Sequence, residues 1–267
     1  MEIDYEIGTG IIPASKVSIF GRVGGKVRVR DKIISMFPSN DTWDTYVEVF
    51  AGSGAVFRGL DLDTDKKYVI NDLNQDIYDI WRDIKKVQPE KIRNFDFKGN
   101  KQLFYKLLRD YEPKTIEERL WRNLYLSSHS YSNIRESYAN KGSRVGSRLL
   151  DNLEEVQEEL KYATVTNQDY KKCIKRWDSP KTLFYIDPPY VDKEHLYEGM
   201  SVNPYELADL LRNIKGKFIL SYNIHPEVKK AFAGFKFKKL GFAYHIWLKK
   251  QKETKITNKD EYIITNY

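Results

Sequence analysis

Cysteine is nearly absent from this chain. Cys173 is the single one among 267 residues, which excludes an intramolecular disulfide framework and a cysteine-rich zinc site. Histidine is scarce as well, at four, and His129 has no neighbouring Cys or His of the sort that builds a metal centre. No apolar run is long enough to cross a bilayer, and neither end carries a signal-peptide pattern. Together these absences lead us to expect a protein of the reducing cytoplasm, with no membrane partner and no metal. Repeats and low-complexity tracts are missing too, so the chain reads as one α/β unit with an insertion, or as two modest domains.

Lysine and arginine outnumber aspartate and glutamate by 45 to 38, a net charge of +7. That balance suits a polyanionic partner without requiring one. Aromatic residues make up 14% of the chain, with 19 tyrosines, a large amphipathic ring surface for a basic protein, many of whose rings must be core.

Near the start, Gly24-Gly25-Lys26 pairs two residues that let backbone approach a ligand with a point positive charge suited to a carboxylate or phosphate. A flexible basic turn is an equal reading of those residues alone. Thr45 to Phe50 is β-branched and aromatic, followed at once by Ala51-Gly52-Ser53-Gly54 and an apolar, helix-like Ala55 to Leu60. This is strand, glycine turn, helix. The third glycine of the dinucleotide fingerprint is lacking, so the pattern places a ligand at the carboxyl end of a strand without naming it. A second strand, Tyr68 to Ile70, ends in Asn71-Asp72, about twenty residues on, the offset at which nucleotide folds hold ribose hydroxyls. Asp72 could equally cap the helix whose apolar residues run from Leu73 to Val87.

From Pro89 to about Arg148 the apolar spacing turns helical and then gives way to a polar, basic stretch carrying Ser128, Tyr131, Asn133, Arg135, Lys141 and Arg144. That composition fits phosphate and base-edge contacts; an ordinary exposed loop is the plainer reading. Strand character returns at Ala163 to Thr166, ahead of Asp169-Tyr170. Asp169 could accept from an amino group on a ring that packs on Tyr170, or cap the next helix. Thr182 to Ile186 is a buried strand by composition, ending in Asp187-Pro188-Pro189-Tyr190. The prolines hold the Asp187 carboxylate and the Tyr190 ring outside helical pairing. Such a turn could grip a flat, amine-bearing ring, or simply end a strand. A strand at Lys217 to Asn223 follows, then a terminal hairpin of Ala243 to Leu248 and Glu261 to Thr265 around a lysine-rich turn.

Taken in order, the Gly-Gly-Lys turn, Phe50-Ala51-Gly52-Ser53-Gly54, Asp72, the basic insertion and Asp187-Pro188-Pro189-Tyr190 resemble the Dam-like DNA adenine-N6 methyltransferases of the α-group. The resemblance spans nearly the whole chain, departing from the family pattern at Arg22 and at Ser132-Asn133. It implies a Rossmann-like methyltransferase sheet with helices on both faces and an inserted, mostly helical DNA-recognition domain. The corresponding division is a catalytic part over residues 1–85, the insertion over 86–150, and the rest of the catalytic domain over 151–267. S-adenosyl-L-methionine is the implied cofactor, with Gly24, Gly25, Lys26 and the turn Phe50 to Gly54 near its methionine end, Asp72 on its ribose, and Asp169 and Tyr170 at its adenine. Double-stranded DNA is the implied partner. Asp187 and the Pro188 carbonyl would take the two amino hydrogens of a flipped-out adenine, with Tyr190 stacked on the base. The alternatives are a cytosine-N4 methyltransferase, whose turn more often reads Ser-Pro-Pro-Tyr, and a non-catalytic nucleic-acid-binding relative.

Overall fold

A computed structural model describes residues 19–20, 25–130, 135–139, 144–193, 200–248 and 253–267; for 144–150, 242–248 and 253–260 it describes the backbone alone. At its centre is a seven-stranded sheet in the order β3-β2-β1-β4-β5-β7-β6. The strands are β1 (Thr45–Glu48), β2 (Lys67–Asn71), β3 (Ala163–Thr166), β4 (Thr182–Ile186), β5 (Lys217–Asn223), β6 (Lys236–Leu248) and β7 (Glu253–Thr265). The first five run parallel, and β7 enters antiparallel between β5 and β6.

Every residue of β1 and of β4 is buried, because helices cover both faces of the sheet and strand side chains alternate between them. Tyr46, Tyr68, Leu183, Tyr185, Ile219 and Ile263 enter one apolar layer; their neighbours Val47, Val69, Phe184, Phe218, Leu220 and Ile264 enter the other. On the first face lie α1 (Arg30–Ile34), α2 (Gln75–Ile84), α3 (Pro89–Ile92), α4 (Lys101–Arg109), α5 (Ile116–Ser128) and α6 (Arg144–Lys161); on the second lie α7 (Tyr170–Trp177), α8 (Pro204–Arg212) and α9 (Pro226–Ala231).

The expected insertion is helical, through α3, α4 and α5, but its core is shared. Phe104, Leu107, Leu120, Leu124 and Tyr125 belong to the same cluster as Ile80 and Trp81 of α2. A buried ion pair pins it there: Asp83 of α2 accepts from Arg119 of α5 at 2.6 and 2.9 Å.

Two expectations change. The helix expected at Ala55 to Leu60 is a single 3₁₀ turn, Phe57–Gly59, that passes into extended backbone at Leu60. Gly59 abuts α1 so closely that an added Cβ would lie 2.7 Å from Ile34 Cδ1, and the acidic residues Asp61, Asp63 and Asp65 beyond it offer no apolar stripe to continue a helix. The terminal hairpin is much longer than expected, running in register from Lys236↔Thr265 to Leu248↔Glu253. Lys236, Lys238 and Lys239 put charge on this edge strand, and charge at an edge blocks pairing with other chains. Lys249, Lys250 and Lys252 of the turn lie outside the described residues.

The chain steps outward from β1 to β2 to β3, then returns to place β4 on the other side of β1. Order therefore reverses between β1 and β4, and a crevice opens at the carboxyl ends of those strands.

Candidate active site

The glycine turn leaves β1 at the lip of that crevice. Gly52 and Gly54 have φ of +50° and +62°, left-handed values that side chains with a Cβ adopt at a cost. Their neighbourhoods differ: a Cβ on Gly54 would lie 2.5 Å from Trp81 Cζ2, whereas one on Gly52 would meet nothing within 4 Å. Gly54 serves packing, and Gly52 keeps open space. Trp81 in turn donates from Nε1 to the Gly52 carbonyl at 2.9 Å, tying the turn to α2.

Asp72, at the end of β2, accepts from Gly52 N–H at 2.8 Å and from Asn74 N–H at 2.9 Å. The cap of α2 is Asn74, whose side chain accepts from the Asp76 and Ile77 amides. Of the two readings open to Asp72, the structure withholds the helix cap and places its half-buried carboxylate in the crevice wall. Asp169 caps α7 by accepting from Lys171 N–H at 2.9 Å and lines the same crevice. Tyr170 is buried beside Phe50, ring centroids 5.8 Å apart. Ala51 and Ser53 are buried under the turn.

Gln168 was not among the residues singled out from the sequence. Its backbone is clamped by Asn71, which donates to the Gln168 carbonyl and accepts from its N–H, both at 2.9 Å. Its side-chain Oε1 is buried in the crevice wall with no hydrogen-bond donor in reach. An amide directly ahead of the strand-end acid was the available signal.

Beyond β4 the turn Asp187-Pro188-Pro189-Tyr190 sits across the crevice from Asp72. Pro188 is buried and Pro189 half-buried in the wall. The Lys26 ammonium, 4% exposed, lies 2.9 Å from Asp187 Oδ1 and donates to the Tyr190 hydroxyl at 2.8 Å. The contact with Oδ1 is an ion pair without the direction of a hydrogen bond, and Oδ1 itself is fully buried. The side chain as a whole is 19% exposed, so its exposed part faces away from Lys26. Lys26 also lies 5.0 Å from the Tyr190 ring centroid. Expected near a cofactor's end, this lysine lines the crevice and also contacts the Asp-Pro-Pro-Tyr turn.

A second carboxylate joins from β7. Glu261, 7% exposed, has Oε2 3.6 Å from Lys26 Nζ and accepts from Ser221 Oγ at 3.0 Å. Burial pushes Asp187 up to about 6, with Glu261 adding to the rise and Lys26 opposing it. Burial, then the charge of Asp187, raises the Tyr190 phenol well above its ordinary value. On the floor of the crevice, burial pushes Glu48 up to about 8 although it accepts from Tyr46 OH and Phe57 N–H, each at 2.8 Å.

The crevice holds about 960 Å³ of space, part of it open solvent. The structure thus brings together Gly25, Lys26, Phe50 to Ser53, Asp72, Asp169, Tyr170, Asp187 and Pro189 around one opening, with Tyr190 joined to it through Lys26. Gly24 lies outside the described residues.

The candidate DNA contacts fare differently. Ser128 and Arg135, expected on an exposed surface, are buried. The Ser128 hydroxyl turns back to the Leu124 carbonyl one helical turn earlier, a bond that Ser makes readily within a helix. Arg135 donates to Ser127 Oγ and the Asn123 carbonyl and pairs with Asp76. Through Asp76, Arg135 braces the insertion against α2. Tyr131, Asn133 and Lys141 lie outside the described residues, as does the side chain of Arg144 at the start of α6. Among the described residues no group of His, Cys, Asp or Glu could hold a metal ion, and no helix is long and apolar enough to cross a membrane.

The family model described as D12 class N6 adenine-specific DNA methyltransferase matches residues 23–260. No curated protein matches significantly. Among solved structures, the chain is similar to a precorrin-6y C5,15-methyltransferase from Geobacter metallireducens GS-15, at 12% identity and TM-score 0.47, covering 96% of this chain and 97% of that one. It is also similar to a precorrin 8w decarboxylase from Methanobacterium thermoautotrophicum, at 12% identity and TM-score 0.44, covering 96% of this chain and 100% of that one.

Proposed function

Since the match runs from residue 23 to residue 260, the chain belongs to the D12 class N6 adenine-specific DNA methyltransferase family, and on that premise we propose how this crevice methylates adenine. The observation that carries the proposal is the meeting of Asp187, Tyr190 and Lys26 at one end of a crevice whose other wall is Gly52, Asp72 and Asp169.

S-adenosylmethionine fits the residues present. Asp72 offers acceptor capacity to ribose hydroxyls while its Gly52 and Asn74 bonds hold it still. The buried, donor-less Oε1 of Gln168 suits an adenine amino group better than Asp169, whose carboxylate already caps α7. Open space at Gly52 admits the ligand against bare backbone. When bound, the cofactor supplies an electrophilic methyl on a sulfonium.

The remaining work falls to the turn. The exocyclic nitrogen of adenine is a poor nucleophile because its lone pair is delocalised into the ring. Asp187 accepts one amino hydrogen and the Pro188 carbonyl the other, which draws the nitrogen out of conjugation and aims its lone pair into the crevice. Tyr190 packs on the base. A base stacked in duplex DNA cannot reach this depth, so the nucleotide rotates out of the helix, at a cost of a few kcal/mol that stacking on Tyr190 offsets.

Asp187→Ala tests this with duplex DNA and labelled cofactor. Turnover is expected to fall on the order of 10³-fold, with cofactor affinity by equilibrium dialysis unchanged; turnover near wild type would sink the assignment.

A further inference from the structure

Resting on that reading of Asp187, we infer that Glu261 is a positioning residue for methyl transfer: by sharing the Lys26 ammonium it leaves the Asp187 carboxylate free to hold the amino hydrogen and then to take the proton that nitrogen sheds.

Glu261 is 74 residues from Asp187 in sequence, yet β7 pairs it with Asn223 at the carboxyl end of β5. Its side chain shares a sheet face with Ser221, the diagonal neighbour that donates to Oε2 at 3.0 Å. From that anchored position Oε2 stands 3.6 Å from Lys26 Nζ, against 2.9 Å for Asp187 Oδ1.

The described groups facing Asp187 come from five places in the fold. Lys26 comes from the segment before α1, Glu48 from β1, Tyr185 from β4, Tyr190 from the turn itself and Glu261 from β7. Glu48 is mostly protonated at neutral pH, being pushed up to about 8, and both phenols are held neutral by burial. Among the described residues the carboxylates of Asp187 and Glu261 therefore face a single ammonium. A buried cluster with one negative charge to spare is costly by itself and is relieved when positive charge develops nearby. The target nitrogen becomes positive as it gains the methyl, and its surplus proton passes to Asp187, leaving a neutral amine and a neutral acid. Without Glu261 the ammonium would belong to Asp187 alone, which would weaken that carboxylate both as an acceptor and as a base.

The test follows Asp187 directly, in cofactor-free protein with ¹³C-carboxyl-labelled aspartate; its resonance is the one missing from Asp187→Asn. In wild type it titrates near the value of about 6. In Glu261→Gln the midpoint is expected to fall by about one pH unit, the acid limb of kcat/KM to move down with it, and kcat to drop on the order of tenfold while KM for cofactor and DNA holds. In Glu261→Asp, which keeps the charge, the midpoint stays within a few tenths of wild type. An unmoved midpoint in the Gln variant overturns the proposal, as does an Asp variant that shifts as far as the Gln variant. Should the Gln variant not fold, the Asp variant decides alone: a wild-type midpoint supports the proposal and a lowered one overturns it. An active Asp187→Asn would instead overturn the role of Asp187, a separate failure.

Discussion

Replacing Glu48 with Gln should stabilise the cofactor-free protein at neutral pH and lose that advantage in acid. Glu48 is 2% exposed at the end of β1, and burial pushes its carboxyl from the ordinary 4.5 up to about 8. An acid whose folded pKa is raised contributes fully below its unfolded pKa and loses that contribution as pH rises through the folded one. Between pH 4.5 and about 8 each pH unit thus withdraws about 1.4 kcal/mol, so about 3 kcal/mol is gone by pH 7. Gln has no proton to lose. Its amide oxygen can accept from Tyr46 OH and Phe57 N–H as Oε2 does at 2.8 Å, while the extra amide hydrogen costs about 1 kcal/mol if unpaired. The variant should therefore be more stable by about 2 kcal/mol at pH 7 and slightly less stable near pH 4.5. Urea unfolding at pH 5, 6, 7 and 8 measures the difference, which should swing toward the variant by about 3 kcal/mol between pH 5 and pH 7. A difference that stays constant with pH, or one that swings toward wild type, would refute the reasoning.

Other outcomes follow from the same contacts. Gly54→Ala drives a Cβ to 2.5 Å from buried Trp81 at a φ of +62° and should cost about 3 kcal/mol; Gly52→Ala, with the same strain and no clash, should cost about 1 kcal/mol. Urea midpoints compare the pair, and equal losses would contradict the division between packing and open space. Asp83→Ala takes a carboxylate of 0% exposure from Arg119, itself a third exposed, while Arg82 keeps its pair with Asp79 at 2.8 Å, and should destabilise by about 1–3 kcal/mol; a loss below about 0.5 kcal/mol in the same assay would show the pair idle. For wild type, kcat/KM should fall about tenfold per unit below pH 6, where Asp187, held at about 6, takes up its proton. A flat profile down to pH 5 would separate Asp187 from the rate.

Much of the fold was legible because its signals are local. Continuous β-branched and aromatic runs mark β1, β2 and β4, and the paired prolines of the Asp187 turn keep the chain from passing straight into a helix. The short 3₁₀ turn at Phe57 was missed because its limit is set by Gly59 against Ile34, a contact across 25 residues. Ser128 and Arg135 read as DNA contacts since a polar, basic string looks the same whether it faces solvent or satisfies buried acceptors.

By itself, then, the sequence determined the α/β class, the succession of glycine turn, Asp72 and Asp187-Pro188-Pro189-Tyr190, and through their order the family. Backbone geometry at Gly and Pro and the two-residue period of strands need only neighbours along the chain. Tertiary structure alone decided what each acid touches. It assigned the cap of α2 to Asn74 and held Asp72 in the crevice wall on the Gly52 and Asn74 amides, set Asp169 at the cap of α7 on the same wall beside the buried Gln168 Oε1, and put Glu261 beside Lys26. Hydrogen bonds and charges act over a few ångströms whatever the separation in sequence, so the division of Lys26 between Asp187 and Glu261 exists only once β7 lies against β5.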